Sequence, residues 1–208
     1  VGKARFATLE KEAMDSDRLL LMGDDHQMLS KMSANVFKNK DYFRLLKACQ
    51  KEISIYIDNF RIPELDHDFF VRVRPDAYST QPVKLGGKVL KNCVVDLKSC
   101  QDASPRAFKS SVYQYSWHVQ AAYYLDLMTH TMRTLKKDED ICFEHFIFLA
   151  VEKKAPYAVQ AYELNPALIV EGRRLYRKAL KLWLEYWNSN EMTGYHSGDE
   201  NPSSLIVL

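Results

Sequence analysis

The sequence predicts an α/β fold: a central mixed β-sheet of about four or five strands with helices on both faces. Three observations lead there: strand-like runs in the middle of the chain, helical patterns on either side of them, and a globular composition. Hydrophobic residues make up 47% and charged residues 27% of the 208 positions, enough for one well-buried domain. We predict a single domain over 1–208, with a helical part at 1–50, a core at 51–190 and a mobile tail at 191–208.

The N-terminal part has two helical patterns. Asp24, with Gln27 three residues later, resembles a capping box that opens the first helix. A second short helix is expected from Asp41 to Gln50. His26 lies near the first helix start but in no recognisable motif, so we leave it out of the candidate site. The apolar stripe of the first helix consists of Met28, Leu29, Met32 and Val36.

The middle of the chain carries the strand patterns. Glu52–Ile57 alternates as a strand does, and Val71–Lys98 contains two further β-like runs separated by a polar loop with a Gly86-Gly87 turn. We predict that these two runs pair as a hairpin. Such a hairpin would bring Asp76, at the end of the first run, close to Asp96 in the second.

Two carboxylates and an amine in this arrangement suit hydrolysis of a phosphodiester with a divalent metal. Asp96 and Lys98 are two apart on a strand and therefore point to one face, while the Leu97 carbonyl stays available as a ligand. Mg²⁺ takes oxygen ligands and keeps several waters, so one or two carboxylates suffice. A lysine can orient the attacking water and offset the charge of the transition state.

The rest of the chain alternates helices and strands. Ser104-Pro105 predicts a cap and a first helical residue, and Arg106 and Lys109 would share one face of that helix. A longer aromatic-rich helix is expected over 116–131. Strands are predicted at 143–151 and 157–164, followed by a long helix after Asn165-Pro166. Its inward stripe would be Leu168, Leu175, Ala179, Leu182 and Tyr186.

Several motifs, in order, resemble one nuclease superfamily. Arg74-Pro75-Asp76 followed by Asp96-Leu97-Lys98 resembles the PD-(D/E)xK nucleases, and more narrowly the RecE-like (exonuclease VIII) exonucleases of phages and prophages. Gln120 and Tyr124 are similar to the Q-x-x-x-Y helix of the RecB and RecE types, and the 148–156 segment is similar to the later strand. D-x-K alone occurs often by chance, but the ordered set is specific. The resemblance covers Glu52 to Trp187.

The resemblance implies a restriction-endonuclease-like core, with 1–208 as a nuclease domain. It implies a Mg²⁺-dependent 5′→3′ exonuclease on linear double-stranded DNA that releases 5′-mononucleotides and leaves a 3′ overhang for recombination by strand annealing; Mn²⁺ is an alternative ion. Lys98 would position the water. Glu52 would support the site or be an exposed acid at a helix–strand junction. The other implied site residues are Asp76, Asp96 and the Leu97 carbonyl as metal ligands, with Gln120 as support.

Five residues are candidate DNA contacts. The net charge of +2 is too small to indicate nucleic-acid binding by itself, but six basic residues against two acids lie between Lys84 and Lys109. A solvated face is the alternative for the loop part of that segment. Of Arg72 and Arg74, one could contact phosphate and the other could balance the acidic site. The full set is Arg72, Arg74, Arg106, Lys109 and Tyr124.

The resemblance also implies partners and a location. RecE-like enzymes act on double-stranded DNA ends as ring-shaped homo-oligomers, beside a RecT-type single-strand annealing protein. No apolar run approaches the roughly 20 residues of a membrane helix, and four dispersed cysteines suit free thiols in a bacterial cytoplasm. Two alternatives remain open: another PD-(D/E)xK nuclease, either an endonuclease or a RecB-type single-strand exonuclease, and a catalytically inert DNA-binding or assembly module.

Overall fold

The structure, a computed structural model, describes residues 3–16, 20–21 and 23–189, so the tail predicted at 191–208 lies outside the described residues. No helix in these ranges is long and apolar enough to cross a bilayer. The helices are α1 Lys3–Asp15, α2 Gly23–Lys38, α3 Lys40–Ala48, α4 Pro105–Gln114, α5 Trp117–Lys136 and α6 Pro166–Ser189. The strands are β1 Gln50–Lys51, β2 Ile55–Ile62, β3 His67–Val73, β4 Ala77–Ser79, β5 Val83–Leu85, β6 Lys88–Leu90, β7 Cys93–Cys100, β8 His145–Glu152 and β9 Val159–Glu163.

The central sheet is mixed and has five strands in the order β1-β4-β7-β8-β9. β7 and β8 are parallel, and each of the other neighbouring pairs is antiparallel. The parallel pair is connected by α4 and α5, as parallel strands require a long crossover. The predicted α/β class and mixed sheet are therefore confirmed.

The strand pairing predicted for the 71–98 segment is wrong in its partners. Val73 pairs with Ile55, so β3 forms a separate two-stranded sheet with β2. The strand that pairs with β7 in antiparallel fashion is β4, where Ala77 lies opposite Val95. Pro75 stands between β3 and β4, and because proline lacks the N–H that a ladder needs, it separates the two strands. The predicted Gly-Gly turn lies instead between β5 and β6, which form a second two-stranded sheet. The φ angles of Gly86 and Gly87 are 55° and 81°.

β8 is buried along nearly its whole length, which shows that the core occupies both faces of the sheet. Alternate residues of β8 enter two different hydrophobic clusters, as the period of two in a strand requires. Phe148 and its even-numbered neighbours pack on the α5 side, together with Leu125 and Met128. Leu149 and its odd-numbered neighbours pack on the other side, with Met32 of α2 and Leu45 of α3. Helices therefore cover both faces.

The caps predicted for α4 and α6 are confirmed. Ser104 Oγ accepts the N–H of Ala107 at 3.4 Å, and Asn165 Oδ1 accepts the N–H of Leu168 at 2.9 Å. The cap of α3 lies at Asn39, before the expected start at Asp41. These side chains satisfy N–H groups that the first helical turn leaves without a partner.

The inward face of α6 differs from the predicted stripe. The residues buried on this helix are Ile169, Gly172 and Tyr176, whereas Leu182 is 55% exposed. A Cβ on Gly172 would lie 2.2 Å from the His118 carbonyl oxygen of α5, so the two helices pack closely against each other at this glycine. This contact determines which face of α6 packs against α5, and the spacing of the leucines alone does not predict that face.

Candidate active site

Asp96 and Lys98 lie on the face of β7 that packs toward α5. Asp96 is 4% exposed, and its Oδ2 lies 2.7 Å from Lys98 Nζ. The shared face follows from their spacing of two along a strand. A buried carboxylate therefore has an ammonium group beside it, held on one rigid strand.

Gln120 joins these two side chains from α5. Its Nε2 donates to Asp96 Oδ1 at 2.8 Å, and its Oε1 accepts from Lys98 Nζ at 2.9 Å. A single amide thus contacts both charged groups, and each of its polar atoms has a partner of the right kind. This contact fixes the position of Lys98 relative to Asp96.

Asp76 reaches the same place from the segment before β4. Its Oδ2 accepts the backbone N–H of Leu97 at 2.8 Å, which puts its carboxylate beside the residue that follows Asp96. Its backbone carbonyl accepts the N–H of Glu52 at 3.1 Å. The structure therefore brings together Asp76, Asp96 and Lys98, although Asp76 lies in a bend between β3 and β4 and not at the end of a strand as predicted.

The negative charge of the Asp96 carboxylate is not fully balanced by the groups around it. Burial raises its pKa above the ordinary value, and the nearby charge of Asp76 acts in the same direction, while Lys98 and Gln120 oppose both. Its Oδ2 is buried and forms an ion pair with the Lys98 ammonium at 2.7 Å, and no other donor among the described residues is directed at it. An added cation would therefore stabilise this carboxylate.

The donor set fits a hard divalent cation such as Mg²⁺. No group of three or more His, Cys, Asp and Glu side chains that could hold a metal occurs in the described ranges. Mg²⁺ does not need such a group, since it is commonly held by one or two carboxylates and several waters. Asp76 and Asp96, with the Leu97 carbonyl, are the residues that would hold it.

Two aromatic rings lie close to the Lys98 ammonium. Lys98 Nζ lies 5.2 Å from the centre of the Trp117 ring and 5.8 Å from that of Phe148. The faces of such rings attract a cation. The contact of Trp117 with Lys98 was not predicted from the sequence. The available signal was the spacing of three between Trp117 and Gln120.

A polar cleft of about 560 Å³ opens next to Asp76. Arg72, Arg74 and Tyr124, which were predicted to contact DNA, all line it. Burial raises the pKa of the Tyr124 hydroxyl, and the neighbouring Gln120 amide opposes that shift. The lining residues are Ser54, Tyr56, Arg72, Val73, Arg74, Asp76 and Tyr124, of which Ser54 and Tyr56 were missed from the sequence.

Glu52 lies near the site but directs its side chain elsewhere. The strand predicted from Glu52 begins instead at Ile55, because Glu52 has a positive φ of 52° that a strand residue does not adopt. Its exposed carboxylate pairs with Arg74, with Oε2 3.4 Å from Nε. Metal support by Glu52 stays a prediction, and in this structure its direct partner is Arg74.

Arg106 and Lys109 are both exposed on α4, where their spacing of three puts them on one face of the helix. Neither belongs to the set of described residues that line the cleft. Their contact with DNA therefore stays a prediction that rests on the motif resemblance.

Comparison with known proteins agrees with this arrangement. The model of the family described as PDDEXK-like domain of unknown function (DUF3799) matches residues 3–200. A candidate exonuclease from Eubacterium rectale has a similar crystal structure, with a TM-score of 0.56, 12% identity, and coverage of 89% of this chain and 64% of that one. The chain thus spans less than two thirds of that protein.

A second structure, that of SSO0001, has a TM-score of 0.35 at 16% identity, covering 82% of this chain and 67% of its own, and is too distant to inform the site. No curated protein matches the chain significantly. At 12% identity, the Eubacterium rectale structure shows a common fold alone. The family model covers nearly the whole sequence, and this chain therefore belongs to the family of PDDEXK-like domains of unknown function (DUF3799).

Proposed function

We propose that the protein is a Mg²⁺-dependent 5′→3′ exonuclease that acts on linear double-stranded DNA, releases 5′-mononucleotides and leaves a 3′ overhang. The observation that carries the nuclease assignment is the cluster of Asp96, Lys98 and Gln120 beside Asp76. The polarity and the duplex substrate rest on the resemblance of the R-P-D, D-x-K and Q-x-x-x-Y motifs to RecE-like enzymes.

In this proposal Lys98 orients the attacking water. An ammonium group has three N–H donors, and Asp96 and Gln120 account for the directions of two of them. The third is free to hold a water or a phosphoryl oxygen. Because Gln120 and the Trp117 ring restrain the ammonium group, its position is set before the substrate arrives.

A divalent cation held by Asp76, Asp96 and the Leu97 carbonyl would polarise the phosphoryl oxygen and steady the leaving oxygen. Asp96 contributes a charge that the site does not otherwise neutralise fully. Arg72 and Arg74, which line the adjoining cleft, would hold the phosphates of the strand.

We further propose that copies of the chain form a ring-shaped homo-oligomer and deliver the 3′ overhang to a RecT-type annealing protein. Both ideas rest on the motif resemblance. A ring that encloses the duplex would keep the enzyme on its substrate between successive cleavages. Recombination by strand annealing is the process in which such an overhang is used.

A comparison of linear and closed circular DNA tests the exonuclease proposal. With Mg²⁺, linear duplex labelled at its 5′ end should release the label early as a mononucleotide, and duplex labelled at its 3′ end should release it late. A covalently closed circle of the same sequence should survive, because it has no end. Cleavage of the circle would indicate an endonuclease. Binding without cleavage would indicate an inert module, and early release from single strands alone would indicate a RecB-type enzyme.

Replacement of Gln120 by alanine should slow cleavage by roughly 10- to 100-fold, as loss of groups that orient metal ligands commonly does. The amide contacts both Asp96 and Lys98, so its removal frees both side chains. Initial rates over a Mg²⁺ titration measure the effect. Gln114→Ala is the control, because Gln114 is exposed at the end of α4. Equal rates for the two variants would exclude the role given to Gln120.

A further inference from the structure

Two large aromatic side chains lie exposed on the outer face of the β2–β3 sheet. Tyr56 is 64% exposed and Phe70 is 72% exposed, and their rings stack with centroids 6.5 Å apart at 21°. The alternate residues of β3 fill the core, with Phe69 at 3% and Val71 at 7%. Packing therefore does not account for the outward rings, since any polar strand residue would serve there.

This aromatic pair continues into the candidate active site. Tyr56 lies directly opposite Arg72 in the strand register, and both residues line the cleft that contains Asp76. Arg72 forms no ion pair with any residue of the described chain, so its charge is available to a ligand. Arg74, two residues nearer Asp76 in the sequence, pairs with the exposed Glu52.

We propose that Tyr56, Phe70 and Arg72 form a stacking platform for unpaired bases of the DNA strand whose backbone enters the site. The inference rests on the proposed nuclease function and adds the form of the substrate. Exposed aromatic rings beside cationic side chains are the usual components of single-strand binding surfaces, because every base has a face that can stack. Bases inside a duplex have both faces covered, so the platform selects a frayed or single-stranded segment.

The spacing along the strand sets the length of that segment. Phe70 is six residues from Asp76, and Tyr56 lies opposite Arg72, four residues from Asp76. At about 3.3 Å per extended residue, these separations are at most roughly 20 Å and 13 Å, since β3 ends at Val73 and the chain bends at Asp76. A stacked strand that rises about 3.4 Å per nucleotide would therefore reach the platform by about its sixth nucleotide.

The charge favours nucleic acid over a protein partner. The residues that connect the platform to Asp76 include two arginines, Arg72 and Arg74, both in the cleft. A protein partner that bound through apolar contacts would have no use for arginines between those contacts and the carboxylates of the site. Pairing with a second copy of the chain is the competing occupant, and the test below detects it.

Fluorescence anisotropy of thymidine oligonucleotides, in the presence of a chelator that prevents cleavage, measures the platform. The probes are about three and about nine nucleotides long, below and above the predicted span. A double variant, Tyr56→Leu with Phe70→Leu, keeps apolar area but removes the ring faces. It should bind the longer probe roughly tenfold more weakly and the shorter one almost as wild type does.

Three control measurements separate the loss of base stacking from other causes of weaker binding. Tyr56→Phe with Phe70→Tyr keeps the rings and should bind as wild type does. Phe43→Leu makes the same kind of change at an exposed aromatic of α3 and should have no effect. An abasic nine-unit probe should bind wild type and the leucine variant equally, because it has no bases to stack.

The inference fails if the leucine variant binds the longer probe normally, or if it loses affinity equally for the abasic probe. It also fails if sedimentation shows that the substitutions break an oligomer while binding is unchanged, since the surface would then contact another copy. Mg²⁺-dependent cleavage by wild type is measured separately. Its absence would count against the nuclease proposal, whereas the anisotropy with chelator reports on the platform alone.

Discussion

Replacement of Asp96 by asparagine should lower Mg²⁺-dependent DNA cleavage by roughly 10³-fold or more, equal to about 4 kcal/mol of transition-state stabilisation. Asparagine has the same shape and can still accept the Gln120 hydrogen bond on its oxygen. What it loses is the negative charge that faces Lys98 and that would hold the cation. The rate of label release from linear duplex, at saturating Mg²⁺, measures the loss.

The same substitution should leave the fold intact. Burial raises the pKa of the Asp96 carboxyl, so its charge is held at a cost in the folded protein; a neutral amide relieves that cost but also loses the ion pair with Lys98, and the two effects oppose each other. The melting temperature of Asp96→Asn should therefore lie within a few degrees of wild type. Asp25→Asn serves as a control at an exposed acid of α2. A folded Asp96→Asn protein that cleaves at the wild-type rate would contradict the proposed metal site.

The parts of the site that depend on local geometry were predictable from the sequence. Side chains two apart on a strand share a face, and this placed Asp96 beside Lys98. The ordered motifs then indicated that a glutamine from a later helix would approach them, and Gln120 contacts both. The strand predicted at 143–151 likewise corresponds to β8, whose uninterrupted apolar run is buried on both faces of the sheet.

The parts that depend on the choice of partner were not predictable. The run that ends at Val73 has the alternation of any one-sided strand, and nothing in it specifies β2 rather than β7 as its neighbour. The carboxylate of Glu52 is exposed, and its contact with Arg74 depends on a backbone turn with positive φ that the residue type does not suggest. The contact of Trp117 with Lys98 joins a helix to a strand, so it appears only in three dimensions.

The rotation of α6 could not be predicted either, and Gly172 accounts for it. Replacement of Gly172 by alanine should lower the free energy of unfolding by about 2 kcal/mol, within the range for overpacked contacts. The added Cβ would lie 2.2 Å from the carbonyl oxygen of His118 and 2.9 Å from the Ala122 Cβ, and the first of these atoms belongs to the α5 backbone. The backbone cannot yield as a flexible side chain would, so the helices must separate. Urea denaturation measures the change.

Helix propensity alone predicts that Gly172→Ala would raise the free energy of unfolding, so the sign of the measured change distinguishes the two effects. In an exposed helix, alanine is favoured over glycine by about 1 kcal/mol. Gly23→Ala provides the matched control, because a Cβ at Gly23 meets nothing within 4 Å and the substitution should be neutral or stabilising. If Gly172→Ala is as stable as Gly23→Ala, α5 and α6 do not touch at this point. Since α5 carries Gln120, two residues after His118, the separation of the helices should also slow cleavage, and Gly23→Ala should not.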